Sequence, residues 1–334
     1  MSHAIKSSAT ASEELRALYA LIRPELEQVE SILCEELHSD SAFVDRLAKH
    51  GFRLGGKRLR PALVLLSARA CGNLNPQHLV LAASVEMIHT ASLIHDDVLD
   101  EATLRRHLDT VNARWDNEAS VLLGDYLLAR SLCLVSSLES TFACREIAEA
   151  SRVMCEGELR QVAGRANYDL SEEDYLDIIA DKTAALCACC CRLGAHYAGA
   201  DAELRDAFGR FGSHVGVAFQ IIDDILDVLG DEAKMGKSLG TDLAKQKPTL
   251  PLIRLLCRSG PAQRAEVLAI LSGQDNHRRQ ALRPWLERAD AVAYSQQKAA
   301  EYVLAAMGEL ERVPPGPAAD SMRRLAEFVI RRQH

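Results

Sequence analysis

The chain has 334 residues, 48% of them hydrophobic and 5% aromatic, and a net charge of −8. Its length exceeds that of a usual single domain, but no low-complexity linker or shift of composition divides it. One large all-α domain over 13–334, behind a flexible segment at 1–12, is therefore expected. The acidic balance argues against a nucleic-acid or anionic-membrane surface and leaves any phosphate affinity to local basic clusters.

Met1 to Ser12 shows no charged stretch followed by an apolar one. No uninterrupted apolar run reaches the roughly 18 residues that read as a membrane span, so a cytoplasmic protein without a span is expected. From Glu13 to Leu47 the apolar positions Leu15, Leu18, Leu21, Ile22, Leu26, Val29 and Leu33 step mostly by three or four. That is a helical period, with a boundary or kink at Pro24. Gly51 to Pro61 reads as a loop, and Pro61 opens a helix to about Cys71. The next helix starts near Asn75-Pro76 and carries Val85, His89, Ser92, Asp96 and Asp100 on one stripe.

Leu104 to Asn112 reads as a loop. Helical patterns then cover Ala119 to Leu138, Phe142 to Val162, Glu172 to Ala198, Ala202 to Leu229, Thr249 to Cys257, Ala289 to Leu310 and Ser321 to Arg332. Strand alternation is absent throughout. Cys187 and Cys190 have C-x-x-C spacing, but no second pair follows at a zinc-ribbon distance. They and their neighbours Cys189 and Cys191 are expected to be buried core thiols.

The residues that carry chemistry are two D-D-x-x-D clusters set in apolar, helical sequence: Asp96-Asp97-Val98-Leu99-Asp100 and Asp223-Asp224-Ile225-Leu226-Asp227. On a helix the first and last Asp of each cluster share a face, with Cβ atoms about 5–6 Å apart. Such a pair can bridge a divalent ion. Hard oxygens without paired Cys or His favour Mg²⁺, which keeps waters and shares its sphere with phosphate oxygens. Three basic groups accompany the clusters: Lys57, Arg58 and Arg60; Arg105 and Arg106; and Lys237 with Lys247. Two separate basic groupings beside two acidic clusters imply two phosphorylated substrates.

Read together, G-G-K-R-L-R-P at 55–61, D-D-V-L-D with Arg105-Arg106, Lys182-Thr183, the segment from Gly216 to Asp227, Gly236 to Leu243 and Lys247 to Pro251 resemble the trans-isoprenyl diphosphate synthases, also called polyprenyl synthetases. The resemblance implies an all-α bundle around a deep central cavity (the isoprenoid synthase type I fold), homodimerisation, and Mg²⁺, three ions per site, as cofactor. It places metal on Asp96 and Asp100 from one wall and on Asp223 and Asp227 from the other, with Asp97 and Asp224 in support.

By the same resemblance Arg105, Lys182, Thr183, Gln220 and Lys237 would hold the allylic diphosphate. Lys57, Arg60, His89 and Arg106 would hold isopentenyl diphosphate. Asp96, Asp100, Arg105, Lys182, Asp223 and Lys237 would carry the reaction, and the segment 230–248 is the expected lid. Ala91 and Ser92, one turn behind Asp96, are small where bulky residues end chain growth in this family, which implies a long product, octaprenyl favoured, that can draw the enzyme to membranes. A short-chain farnesyl or geranylgeranyl synthase is the alternative. A class I terpene cyclase would carry an Asn/Ser/Glu motif in place of Asp223 to Asp227, and a noncatalytic subunit would lack Asp or Arg residues that are present here. The chain departs from the family at His107, where Gly is usual, and at Ala244 to Gln246, which leaves the role of Lys247 open.

Overall fold

The computed structural model describes residues 13–53, 56–138, 140–230, 240–273 and 278–331. Helices dominate, in the order α1 Arg23–Glu36, α2 Ala42–Arg53, α3 Leu59–Ala70, α4 Pro76–Leu99, α5 Val111–Arg114, α6 Asn117–Ser136, α7 Thr141–Ala163, α8 Glu172–Ile179, α9 Ala185–Tyr197, α10 Ala202–Leu229, α11 Thr241–Ala244, α12 Leu250–Arg258, α13 Pro261–Ser272, α14 Arg278–Arg288, α15 Ala291–Glu309 and α16 Pro317–Arg331. The all-α expectation holds. The segment 1–12 lies outside the described residues.

Helix starts follow capping chemistry. Asn75 accepts from the Gln77 N–H at 3.0 Å, Asp116 from Ala119 at 2.7 Å and Asp201 from Leu204 at 2.8 Å, each satisfying a backbone donor that the first turn leaves unpaired. Pro24 falls in the first turn of α1, where its missing N–H costs nothing. Helix α4 runs through the middle, with Leu81, Ala82, Ala83, Val85, Met87 and Ile88 buried, so it is covered nearly all round. It packs lengthwise on α6 and also against α1, α3 and α9, while α10 lies between α9 and α15. A second, smaller apolar cluster joins Val228, Leu243, Leu252, Leu255, Val267, Leu271, Leu282 and Leu286 under the chain that follows α10.

Four readings change. Helix α2 continues to Arg53, so Gly51 is helical: a Cβ there would sit 2.8 Å from Leu123 Cδ2, and the glycine serves close packing of α2 on α6. Second, Leu104–Arg105 and Leu108–Asp109 form a small antiparallel hairpin, β1 and β2, in what read as loop. Strands of two residues are too short to show alternation. Arg106 and His107 turn the hairpin with φ 53° and 63°, both in the left-handed region that glycine enters more easily, which is why His107 stands out there. Third, the expected single helix 172–198 is three pieces, because Ala180–Ala184 is a π-helical turn. Fourth, α13 and α14 fill a stretch to which no element was assigned.

Cys187, Cys189, Cys190 and Cys191 are buried on α9, and desolvation pushes the Cys189 thiol up to about 12. These are core thiols, protonated and inert. Among the described residues one helix, α6, has the length and composition to cross a membrane, with a mean hydropathy of 1.4; in this fold Leu123, Leu127 and Val135 face the core against α4.

Candidate functional site

The first acidic cluster ends α4, and the hairpin folds back on it. Asp97 is buried and takes Arg105 in a forked grip, accepting from Nε at 3.0 and 3.1 Å and from Nη2 at 2.8 Å. Burial pushes the Asp97 carboxyl up while the bonds from Arg105 draw it down. Asn112, at the start of α5, ties the same turn by donating to the Ala102 carbonyl at 3.0 Å. The middle aspartate of the motif is thus the anchor that aims Arg105.

Arg105 in turn feels the charges of Asp97, Asp96 and Asp223, so carboxylates of both clusters, remote along the chain, lie near its guanidinium. Asp96, half-buried, has its carboxyl raised by desolvation and by Glu158 and Asp100, against the pull of Lys182 and Lys247. Asp100 accepts from the buried Lys247 ammonium at 2.7 Å, and Arg165 stands 3.9 Å away. The role of Lys247 is therefore visible: it crosses from the segment after α11 to the end of α4.

Lys182 lies in the π turn. Such turns put a side chain off the regular helical face and cluster at functional sites. Two glycines make room for this one: a Cβ on Gly157 of α7 would lie 2.6 Å from Lys182 N, and one on Gly216 of α10 would lie 2.6 Å from Ala184 Cα. Lys182 Nζ reaches Glu158 and donates to Gln161 Oε1 at 2.9 Å. Its pKa is raised, the charges of Asp96 and Glu158 outweighing burial, so it stays a cation.

The second cluster, on α10, is wired differently. Thr183 Oγ1 donates to Gln220 Oε1 at 2.8 Å, Gln220 Nε2 to Asp224 Oδ1 at 2.7 Å, and Tyr175 Oη to Asp224 Oδ2 at 2.6 Å. Burial pushes the Asp224 carboxyl up to about 7 despite those donors. Asp227, also buried, accepts from Thr241 Oγ1 at 3.1 Å and from the Asp242 N–H at 3.2 Å, which fixes α11 to the end of α10.

The remaining basic residues gather on the Arg106 side. Gly56 lies against the Arg106 guanidinium. His89, half-buried, has its pKa held well below the ordinary value by desolvation and by Arg60, Arg105 and Arg106, which makes it a neutral hydrogen-bonding group amid cations. Arg60 Nε is buried without an acceptor. Arg58 leaves the patch: it bonds Glu30 at 2.5 and 3.1 Å and Glu86 at 2.8 Å, stitching α1 to α4. Lys57 is exposed. Lys237 lies outside the described residues, as does most of the expected lid.

Ala91 is buried, and Ser92 donates to the His89 carbonyl at 2.9 Å, with Val85, Ile88, Leu127, Ser131 and Val135 buried between α4 and α6 beyond them. The sequence missed Tyr175, Glu158 and Gln161. The last two stand three apart on α7, a polar face that could have been matched to Lys182.

The donor set suits a hard divalent cation. Asp96, Asp100 and Asp223 offer only oxygens, and Asp96 carries charge that the protein leaves incompletely offset. Among the described residues no three His, Cys, Asp or Glu side chains close on one point. Such a site leaves coordination positions for water and phosphate oxygens, the arrangement Mg²⁺ prefers.

Two acidic clusters, a cation near both and a second basic group beside it thus come together in an all-α fold. The family model of the polyprenyl synthetases matches residues 41–288. The chain is 35% identical to the octaprenyl diphosphate synthase of Escherichia coli over 95% of its length and 99% of that protein's, and 35% identical to the nonaprenyl diphosphate synthase of Mycobacterium tuberculosis over 94% of each. A polyprenyl synthase from Caulobacter crescentus, solved with calcium and isoprenyl diphosphate, superposes with a TM-score of 0.92 at 35% identity, covering 96% of this chain and 98% of that one. The chain belongs to the polyprenyl synthetase family, and is a prenyltransferase of a kind that works with a divalent metal.

Proposed function

We propose that the protein, working as one domain over 13–334, condenses isopentenyl diphosphate onto an allylic diphosphate such as farnesyl diphosphate to give a long-chain all-trans polyprenyl diphosphate. The observation that carries this reading is Arg105, held by Asp97 and facing both Asp96 and Asp223. Asp96, Asp100 and Asp223 would hold Mg²⁺, three ions per site, with Asp227 completing the second wall. When bound, Mg²⁺ supplies positive charge that stabilises the departing diphosphate.

The chain's own residues divide the remaining work. Arg105, Lys182 and Lys237 bind and orient the allylic diphosphate, and charge stabilisation by their fixed cations lowers the barrier to its departure. Thr183 and Gln220 present oxygens toward the carbocation left behind. Lys57, Arg60, His89 and Arg106 position isopentenyl diphosphate, whose double bond attacks that cation; the new tertiary cation then loses a proton from its neighbouring carbon to the departed diphosphate, which restores a double bond. His89, kept neutral, can donate or accept a hydrogen bond without adding charge. The chain 230–248 excludes water.

Small Ala91 and Ser92 support a long product, as do the octaprenyl, nonaprenyl and heptaprenyl synthases among the relatives. Val121, Leu122, Leu132 and Leu159 leave an exposed apolar face on α6 and α7, which a second copy would cover in a homodimer. We place the enzyme in the cytoplasm.

The test is incubation of purified protein with Mg²⁺, labelled isopentenyl diphosphate and farnesyl diphosphate, followed by chromatography of the products. Chains beyond twenty carbons are expected, shortened in Ser92→Phe. A product confined to fifteen or twenty carbons, or unchanged by Ser92→Phe, overturns the long-chain assignment.

A further inference from the structure

A cavity of about 420 Å³ opens between α2 and α5, lined by Arg46, Lys49, His50, Arg53, Arg114 and Trp115. It shares no side chain with the reaction site. Arg46 lies three before Lys49 and four before His50, and Arg53 follows them by four and three, so one face of α2 turns its cations to the opening. Lys49 is paired with Asp45 at 2.8 Å. Among the described residues no carboxylate lies within ion-pair distance of Arg46, Arg53 or Arg114. In a chain of net charge −8, three guanidinium groups that have no ion pair among the described residues line one cavity, a local basic site that can attract an anion.

The back wall is built. His50 is buried; its Nδ1 accepts from Arg114 Nη1 at 3.1 Å and its Nε2 donates to the Asp109 carbonyl at 2.8 Å. Its ring meets Trp115 edge-on at 5.1 Å, and Arg114 lies over the Trp115 ring at 5.0 Å. Arg114 is therefore held in place rather than swinging in solvent. The volume exceeds what one phosphate fills, and the charge exceeds what one phosphate neutralises.

We propose that this pocket is a second anion site, separate from the reaction centre, that takes a ligand bearing a diphosphate group. The fork geometry of guanidinium suits adjacent phosphates, and the Trp115 ring gives a planar group somewhere to lie. Occupancy bears on the reaction site through one contact: His50 holds the Asp109 carbonyl of β2, and β1 carries Arg105. The diphosphate group can belong to free inorganic diphosphate or to a nucleoside diphosphate, and the two are separable.

Trp115 reports its own pocket. In full-length protein with Trp285→Phe, the other of the two tryptophans is gone. In EDTA, where aspartates cannot hold diphosphate through metal, inorganic diphosphate is expected to change Trp115 emission in a saturable way. Arg46→Gln with Arg53→Gln should raise the half-saturating concentration roughly tenfold or more, the loss of two charge-assisted contacts, and leave synthesis without added ligand unchanged. ADP saturating at lower concentration than inorganic diphosphate assigns the site to a nucleotide; equal or weaker binding assigns it to free diphosphate. A Trp115 signal that does not saturate with either, or that follows one curve in the parent and the double variant, overturns the proposal.

Discussion

The two D-D-x-x-D clusters share a spacing and almost a sequence, but the protein offsets their charge by different means. On α4 the offset is cationic: Arg105 grips Asp97, Lys247 grips Asp100, and Lys182 faces Asp96. At Asp224 on α10 it comes from neutral donors and burial: Tyr175 and Gln220 bond this carboxyl, which sits at about 7, while the Thr241 hydroxyl and a backbone amide are among the partners of Asp227. One wall is thus an ion-pair lattice that an arriving metal–diphosphate must rearrange. Around Asp224 the other has a hydrogen-bonded frame that can stay as it is. Identical motifs fix which residues point inward, and their neighbours decide what each carboxylate does there.

The largest effect that separates the walls is expected from their middle aspartates. Asp97→Asn removes the charge partner of a guanidinium that is only 24% exposed, and breaking such a pair from one side should cost about 3 kcal/mol in metal-free protein and slow synthesis by misaiming Arg105. Asp224→Asn at pH 6 should cost far less, because that carboxyl is then mostly protonated, the amide oxygen still accepts from Gln220, and the amide NH2 can donate to the Tyr175 hydroxyl with that bond reversed. Urea titrations of both variants measure the difference; equal losses would erase the distinction between the walls. A smaller effect tests the lattice itself. Lys247→Met should raise KM for the allylic diphosphate roughly tenfold, the scale of one charge-assisted bond, without weakening Mg²⁺ activation, since the lost cation competes for Asp100. Weaker Mg²⁺ activation would give Lys247 a purely structural role.

The long elements were legible in the sequence for local reasons. Helix α10 carries its start in Asp201 and its period throughout, and Asn75 announces α4. Both acidic clusters were found because their spacing is local, and their meeting is what the resemblance to the polyprenyl synthetases implies. What stayed hidden depends on tertiary contact. The hairpin turns on Arg106 and His107, residues that do not advertise a positive φ, and the π turn at Lys182 exists because Gly157 and Gly216 on two other helices admit it. Helix α14 holds Pro284 inside and few apolar residues, so its period is faint. Arg58 looked like its neighbours until Glu30 and Glu86 claimed it, and Lys247 found Asp100 across 147 positions of the chain.

On the neutral wall, Tyr175→Phe removes one donor to Asp224 and leaves the rest of the frame standing. A loss near 1 kcal/mol is expected in metal-free protein. The accompanying change in rate should be slight, because Asp223, the neighbouring residue on α10, keeps its place. A rate loss as large as that of Asp97→Asn would mean that Tyr175 reaches the substrate or that Asp224 works ionised, and the contrast between the walls would fail.

The smallest expected effect reads the cationic wall through a group that titrates near neutrality. His89 faces Arg60, Arg105 and Arg106, which with desolvation depress its pKa from the ordinary 6.5, so the folded protein keeps it neutral where the unfolded chain protonates it. The unfolded state then binds more protons, and stability falls as pH drops below about 6.5 toward the depressed value. Above that window both states are neutral at this position and its contribution is complete. His89→Gln should therefore flatten the acid limb of stability against pH relative to the parent, while His78, His196 and His214, which are also depressed, keep the remaining slope in both proteins. Parallel curves for parent and variant would mean that His89 protonates as readily in the fold as in water, and that the cations around it are already offset by the acidic cluster they face.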